Sequence, residues 1–285
     1  MAAGRTGAIS RRMAAAGLAA AAGLGAAPSA PRRIDSLNPC LDALLVHLAD
    51  RRQVAGISRL SRDPQGSTIA GIAATLPVAG ETAEEVLRLR PDLVLASTHT
   101  ALATRRALQR LGVEVAAFGP PSTVDESLSQ VREVAVRVGR PARGEALGAR
   151  ITAGLDGVTA RGVRRPEMLL LLSGGLAAGP GSLPDDLFRR LGIANAATRL
   201  GLNGWTPAPV EALLAAPPEV LVRAGGAREA GRPDRITRHP ALDRLSDRVL
   251  TAEIPERLLF CGGPSLVEAA TRLAAIRDQA LERRA

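Results

Sequence analysis

Residue types that commonly perform catalysis are scarce and scattered along this chain. Its 285 residues include three histidines, two cysteines and no tyrosine or lysine. No Gly-x-Ser-x-Gly turn is present to expose a nucleophilic serine, and a phosphate-binding P-loop needs a lysine. The histidines His47, His99 and His239 are far apart, and the chain has no Cys-x-x-Cys or Cys/His zinc pattern. The sequence therefore indicates a non-enzymatic protein without an intrinsic cofactor or metal.

We assign His99 to a ligand site, because it closely follows the apolar run Leu93–Ala96. Ligands of open α/β sheets bind beyond the carboxyl ends of the strands. Trp205, the only tryptophan, is predicted on a loop, where it could cover a large, flat, partly apolar ligand. The other aromatic residues are expected in core positions. The same rule selects the remaining candidate ligand-binding side chains: Asn38, Cys40, Arg59, Arg62, Ser97, Thr98, Ser173 and Cys261.

A helix–proline–strand stretch that occurs twice predicts the elements that position these side chains. The first copy is Glu84–Ala96 and the second is Glu211–Arg223. In each copy a proline stops a helix, because proline lacks an N–H and forces its predecessor out of the α region. A continuous aliphatic run then follows, which is the pattern of a parallel strand covered on both faces. Two copies predict two similar α/β lobes.

The whole chain is predicted as an α/β protein with two Rossmann-like lobes joined by a single long helix. We place the first lobe at residues 31–140 and the second at 163–285. The connecting helix, residues 141–162, is rich in glycine, which lowers helix propensity by up to about 1 kcal/mol per residue. We therefore expect packing against both lobes to hold this helix.

Residues 1–30 have the layout of a bacterial export signal. Three arginines and no acidic residue precede or flank an unbroken run of small and apolar residues from Met13 to Ala27. This run is too short and too weakly apolar to span a membrane. Ser10-Arg11-Arg12 leaves both the twin-arginine and the general export route open, and the cleavage site stays undetermined. The mature protein is expected to be soluble, periplasmic and monomeric, with this signal peptide removed.

The formal charge of +9 comes from arginine alone. Nucleic-acid-binding proteins present arginine clusters interleaved with aromatic residues for stacking. That interleaving is missing here, so we expect no nucleic-acid partner.

The two cysteines, Cys40 and Cys261, lie in opposite halves of a chain that we expect in an oxidising compartment. They could form a disulfide between the halves, remain separate free thiols, or serve a ligand. The sequence leaves these three alternatives open.

Five motifs in order resemble a known family, the periplasmic substrate-binding proteins of bacterial ABC importers for vitamin B12, ferric siderophores and haem. The resemblance covers residues 33 to about 280. The motifs are Arg33–Pro39, Gly80–Ala96, Gly192–Ala196, Gly204–Pro207 running into Glu211, and Cys261–Pro264.

The resemblance implies two α/β lobes joined by one long helix, a ligand captured between them, and delivery of that ligand to a membrane permease. One carboxylate on each lobe docks onto permease arginines in this family, and the matching positions are Glu84 and Glu211. Both could also be ordinary first-turn glutamates favoured by the helix dipole. Trp205 matches an aromatic that lines the cleft in B12-binding members.

A bulky metal chelate is the expected ligand. Trp205 and small polar groups suit a cobalamin-type corrinoid, which we favour. Arg59 and Arg62 suit an anionic ferric siderophore or haem propionates, which come second. A remote alternative is an exported α/β enzyme that uses His99 and Cys40.

Overall fold

The computed structural model describes Met1 and residues 30–159, 162–225 and 249–283. The predicted export signal, the loop expected from Gly225 to Pro233 and the helix expected after His239-Pro240 therefore lie wholly or almost wholly outside the described residues. Within the described part of the chain, no helix combines the length and apolar character needed to cross a membrane.

The first half contains a four-stranded, fully parallel sheet with the strand order β2-β1-β3-β4. The alternation of strands and helices confirms the predicted α/β class. Ile34, Val94 and Leu95 are completely buried, as expected for strands that are covered on both faces. The elements of this half are β1 Ile34–Ser36, α1 Pro39–Leu48, β2 Val54–Gly56, α2 Ala70–Ala73, α3 Ala83–Arg88, β3 Leu93–Ser97, α4 Leu102–Arg110 and β4 Glu114–Phe118.

Both copies of the repeated stretch fold as a helix, a proline stop and a strand. In the first copy α3 leads to β3, and its capping box is formed by Thr82 and Glu85. In the second copy α9, Val210–Ala215, leads to β9, Val220–Gly225.

The single connecting helix predicted from the sequence is α6, Pro141–Asp156, which packs beside α5, Val124–Arg137. We call α5 and α6 the connecting helices. The helices approach closely at Gly144, where a Cβ atom would lie 2.5 Å from the Ala135 side chain. In the other direction α6 faces the C-terminal helix, where a Cβ at Gly154 would lie 2.7 Å from Val267. The predicted connecting helix thus packs as one member of a helical pair.

The N-terminus of α5 is tied to the second half by charge-assisted contacts. The Val124 N–H donates to the Asp186 carboxylate at 2.9 Å, and Arg190 pairs with both Asp125 and Asp186. These hydrogen bonds and nearby arginines hold the pKa of Asp186 below its usual range even though burial opposes this. We call these four residues the α5 anchor.

The second sheet is mixed and has the order β10-β9-β5-β6-β8, with β7 paired to β5. Its core strands β5, β9 and β10 are parallel, whereas β6 and β8 are antiparallel. The stretch Ser173-Gly174-Gly175 forms the hairpin turn between β5 and β6. Gly174 and Gly175 have φ of +84° and +81°, a backbone region that glycine adopts without steric cost. The strands of this sheet, apart from β9, are β5 Glu167–Leu171, β6 Leu176–Ala178, β7 Ala194–Asn195, β8 Trp205–Pro207 and β10 Leu250–Pro255.

The halves share one continuous core. A single cluster of buried residues extends from Ile34 in the first sheet through Val131 and Leu147 of the connecting helices to Met168 in the second sheet. Packing therefore fixes the halves against each other in addition to the chain connections. The remaining helices are α7 Leu183–Arg190, α8 Ala196–Arg199 and α10 Ser265–Glu282.

Candidate functional site

A disulfide brings the carboxyl ends of the two sheets together. Cys40, in the first turn of α1 just after β1, is bonded to Cys261, which follows β10, with a Cα–Cα distance of 5.1 Å. Of the alternatives that the sequence left open, the structure therefore shows the bridge between the halves. Neither sulfur is a free thiol, so neither can act as a thiolate ligand or nucleophile.

The segment beside the bridge packs closely against the connecting helices. The Gly263 N–H donates to the Ser127 hydroxyl at 2.7 Å. A Cβ atom at Gly262 would lie 2.3 Å from that hydroxyl oxygen and 3.0 Å from Pro121, so only glycine fits there. We use the term cleft for the predicted ligand site beyond the carboxyl ends of both sheets.

The loop after β3 presents His99 from a fixed backbone. The Ser97 hydroxyl accepts from the His99 N–H at 3.1 Å, and the Thr98 N–H donates to the Phe118 carbonyl at 2.9 Å. Arg105 donates to the carbonyl oxygens of Thr98 and Thr100. Thr98 and His99 are exposed, so the structure leaves both side chains accessible at a strand end.

The two predicted arginines differ in their availability. Arg62 donates to the carbonyl oxygens of Ala73 and Leu76, at 3.3 and 2.6 Å, so its guanidinium supports its own half of the molecule. Arg59 is exposed, and no described residue forms a hydrogen bond or ion pair with its side chain. It borders an open pocket of about 530 Å³ beside the start of α3. Arg59 is thus the arginine that remains available to an anionic ligand.

The first half buries two carboxyl groups, and one of them, Asp42, contacts the 3-10 helix Arg59–Arg62 that carries these arginines. Asp42, on α1, accepts from the Ser58 N–H at 2.9 Å and from the Ser61 hydroxyl at 2.6 Å. Asp35, on β1, accepts from the Ser36 N–H. Both are fully buried, and one oxygen of each makes no hydrogen bond. Burial raises the pKa of each to about 7.

Stability should fall as the pH rises from 6 to 8. An aspartate in the unfolded chain has a pKa of about 4, so between that value and about 7 the folded protein binds protons that the unfolded protein releases. Its free energy of unfolding should decrease by roughly 2–3 kcal/mol as these carboxyls ionise. Urea unfolding at several pH values measures this, and Asp35→Asn/Asp42→Asn protein should lose most of the dependence. The exposed-site control Asp156→Asn should keep it; a wild-type protein equally stable at pH 6 and 8 would refute the assignment.

Two predicted side chains have structural partners in the cleft wall. The Asn38 side-chain oxygen accepts from the N–H groups of Cys40 and Leu41, at 3.0 and 3.3 Å, and so caps α1. The Ser173 hydroxyl donates to the buried Glu256 carboxylate. Both residues lie at strand ends as predicted, but their side-chain oxygens are already used in hydrogen bonds within the protein.

Trp205 lies on the edge strand β8, and the predicted loop position is therefore wrong. The antiparallel pairing of Trp205 with Ala178 escaped prediction because both strands have only three residues and no alternating pattern. The side chain is 40% exposed, so it remains available to a ligand.

Phe260 is an exposed aromatic residue that the sequence reasoning placed in the core. Phe118 and Phe188 are buried as expected, whereas Phe260 is 48% exposed. The sequence signal that could have suggested a position near the site is that Phe260 directly precedes Cys261, in the segment after β10. Among the described residues, no group of three or more His, Cys, Asp and Glu side chains could hold a metal ion.

Glu84 and Glu211 occupy equivalent positions in the two halves. Each is the second residue of its helix, α3 or α9, and each is exposed. In the described ranges neither carboxylate forms a hydrogen bond or an ion pair, whereas the neighbouring Glu85 is held by its capping box and Arg88.

Comparison with known proteins gives a consistent result. Residues 34–246 match the family model described as "Periplasmic binding protein". The cobalamin-binding protein of Halobacterium salinarum (strain ATCC 29341 / DSM 671 / R1) is 26% identical over 200 residues, which cover 68% of this chain and 54% of that protein. The chain thus spans about half the length of this curated relative.

Two solved structures share the fold over nearly their whole length. The periplasmic heme-binding protein RhuT from Roseiflexus sp. RS-1 is 25% identical with a TM-score of 0.74, covering 87% of this chain and 98% of its own. A periplasmic heme-binding protein from Pseudomonas aeruginosa is also 25% identical, with a TM-score of 0.66 and coverage of 87% and 92%.

Proposed function

The chain belongs to the periplasmic binding protein family, and from this premise we propose that it is the substrate-binding protein of an ABC importer. In this role it captures a bulky metal chelate in the cleft and delivers it to the membrane permease. The bridge between Cys40 and Cys261 is the observation that carries this proposal, because it holds the strand ends of both halves beside one space. Exposed His99, Arg59 and Trp205 then offer side chains from both halves.

A cobalamin-type corrinoid is the ligand that we favour. Proteins hold haem iron through histidine, cysteine, methionine or tyrosine. This chain has no tyrosine, both cysteines are bridged, and Met168 is buried. Among the described strand ends, His99 is therefore the exposed side chain that could ligate the metal of a chelate. The relative from Halobacterium is named for cobalamin, which supports this choice.

Haem or a ferric siderophore is the second candidate. The guanidinium of Arg59, which has no partner among the described residues, suits a propionate or another anionic group, and similar solved structures are heme-binding proteins. The remote enzyme alternative loses support, because bridged Cys40 cannot supply a thiolate and the named relatives are binding proteins. The proposed receptor is periplasmic and monomeric, and residues 1–30 form its removable export signal.

Titration of the purified protein with cyanocobalamin, haemin and ferrichrome tests this function. Because Trp205 is the only tryptophan, a bound corrinoid or porphyrin should quench its emission with one-to-one stoichiometry. Free N-acetyltryptophanamide in the same titration corrects for light absorbed by the ligand, and calorimetry gives an independent affinity. We expect the tightest binding for cyanocobalamin. The function as proposed is wrong if none of the three ligands binds, or if one is turned over catalytically.

Docking to the permease is proposed to use Glu84 and Glu211. Two exposed carboxylates at the same helical position, one in each half, can fix orientation and register on a partner that presents arginines. Their lack of partners among the described residues supports this role, since neither carboxylate is needed by the fold.

A further inference from the structure

Phe260 is a solvent-exposed aromatic ring on a segment that is otherwise fixed. Its side chain is 48% exposed, while the preceding Leu258 and Leu259 are 1% and 2% exposed. The next residue, Cys261, is held by the disulfide. Exposure of this ring is therefore not a consequence of a loosely packed loop.

Contacts on both sides hold the segment in place. On one side the buried Glu256 carboxylate accepts from the Ser173 hydroxyl, which lies on the β5–β6 hairpin turn. On the other side the Ser265 hydroxyl donates to the Cys261 carbonyl at 2.8 Å. A side chain presented from such a segment has little conformational freedom left to lose on binding.

The location of Phe260 is the seam between the two halves. Its carbonyl oxygen lies 3.8 Å from the Cys40 sulfur, and Cys40 directly follows the carboxyl end of β1. Phe260 itself follows the carboxyl end of β10. Phe260 thus lies where the strand ends of both sheets meet, beside a disulfide that offers no strong hydrogen-bonding group.

We propose that Phe260 and the Cys40–Cys261 bridge form an apolar floor of the cleft, on which the flat face of the ligand packs. This inference rests on the proposed function and narrows its ligand class. An aromatic face with adjacent sulfur recognises an extended, conjugated ring system by stacking and dispersion. Corrin and porphyrin rings offer such a face, whereas a hydroxamate siderophore surrounds its iron with polar groups. Phe260 therefore selects tetrapyrroles over hydroxamate siderophores.

A Phe260→Ala variant should bind the tetrapyrrole that the wild-type protein binds, cyanocobalamin or haemin, at least tenfold more weakly. Phe260→Leu keeps apolar volume without the ring and should show an intermediate loss. Leu111→Ala provides a matched control, because Leu111 is also exposed but lies at the end of α4, next to the amino end of β4. Its affinity should equal that of the wild-type protein. Melting temperatures of all variants are measured alongside.

The outcomes separate the two proposals. If the wild-type protein binds none of the three ligands, the proposed function and this inference are both wrong. If it binds ferrichrome alone, only this inference is wrong. If the wild-type protein and Phe260→Ala bind the tetrapyrrole with the same affinity, only the proposed role of Phe260 is wrong. If Phe260→Ala does not fold, Phe260→Leu decides: weaker binding at an unchanged melting temperature supports the role, and unchanged binding refutes it. If the protein binds ferrichrome more tightly than either tetrapyrrole, the proposal that tetrapyrroles are the preferred ligands is wrong.

Discussion

Cys40→Ser/Cys261→Ser protein is expected to unfold with a free energy about 3–5 kcal/mol lower than that of the wild-type protein. The bridge joins residues separated by 221 positions, so it restricts most of the unfolded chain. In the chain-entropy account this loop length places the effect at the upper end of the usual range. The continuous core that both halves share should nevertheless keep the variant folded.

Urea unfolding of the oxidised wild-type protein, the reduced wild-type protein and the double serine variant measures this effect. Reduction should lower the wild-type midpoint toward that of the variant, and the variant should not respond to reductant. This internal control separates loss of the bridge from an effect of the serine side chains. Identical midpoints for oxidised and reduced protein would show that the bridge does not stabilise the fold.

Glu84→Ala/Glu211→Ala protein is expected to bind its ligand normally yet to support uptake at least tenfold less well. Removing two charge-assisted contacts of about 1.5–3 kcal/mol each would weaken docking by more than this factor. Neither carboxylate has a partner in the described residues, so the fold should be unaffected. Uptake is measured in cells where the variant replaces the wild-type chain, with ligand affinity measured on purified protein.

A control that removes the same charge elsewhere is available. Asp156→Ala/Glu282→Ala protein also loses two exposed carboxylates, at the ends of α6 and α10. Its uptake should equal that of the wild-type protein. Equal uptake by the Glu84→Ala/Glu211→Ala protein would reject the docking assignment, while leaving the ligand-binding proposal intact.

Elements with a local signal were predictable from the sequence. The repeated stretch carries a helix stop, a capping box and an aliphatic run, and α3, β3 and β9 form close to the expected boundaries. The short antiparallel strands β6 and β8 were missed, because their pairing is decided by a glycine hairpin and by neighbours distant in sequence.

The site was predictable only as a set of strand ends. The strand-end rule selected His99 and Arg59 as candidates, but it could not show that Arg62 donates to the carbonyl oxygens of Ala73 and Leu76. Nor could it show that the Phe260 ring stays in solvent while Leu259 is buried. Such outcomes depend on side-chain packing between segments, which residue types and spacing do not specify.

The α5 anchor has a consequence for how the cleft can work. Together with the disulfide and the shared core, it connects the halves at independent points, so a wide hinge motion would have to break several of them at once. A binding protein that cannot open far needs little free energy for conformational change when it binds its ligand. By the same reasoning the proposed receptor would not release its ligand by relaxing, and separating the ligand from the cleft would fall to the proposed importer.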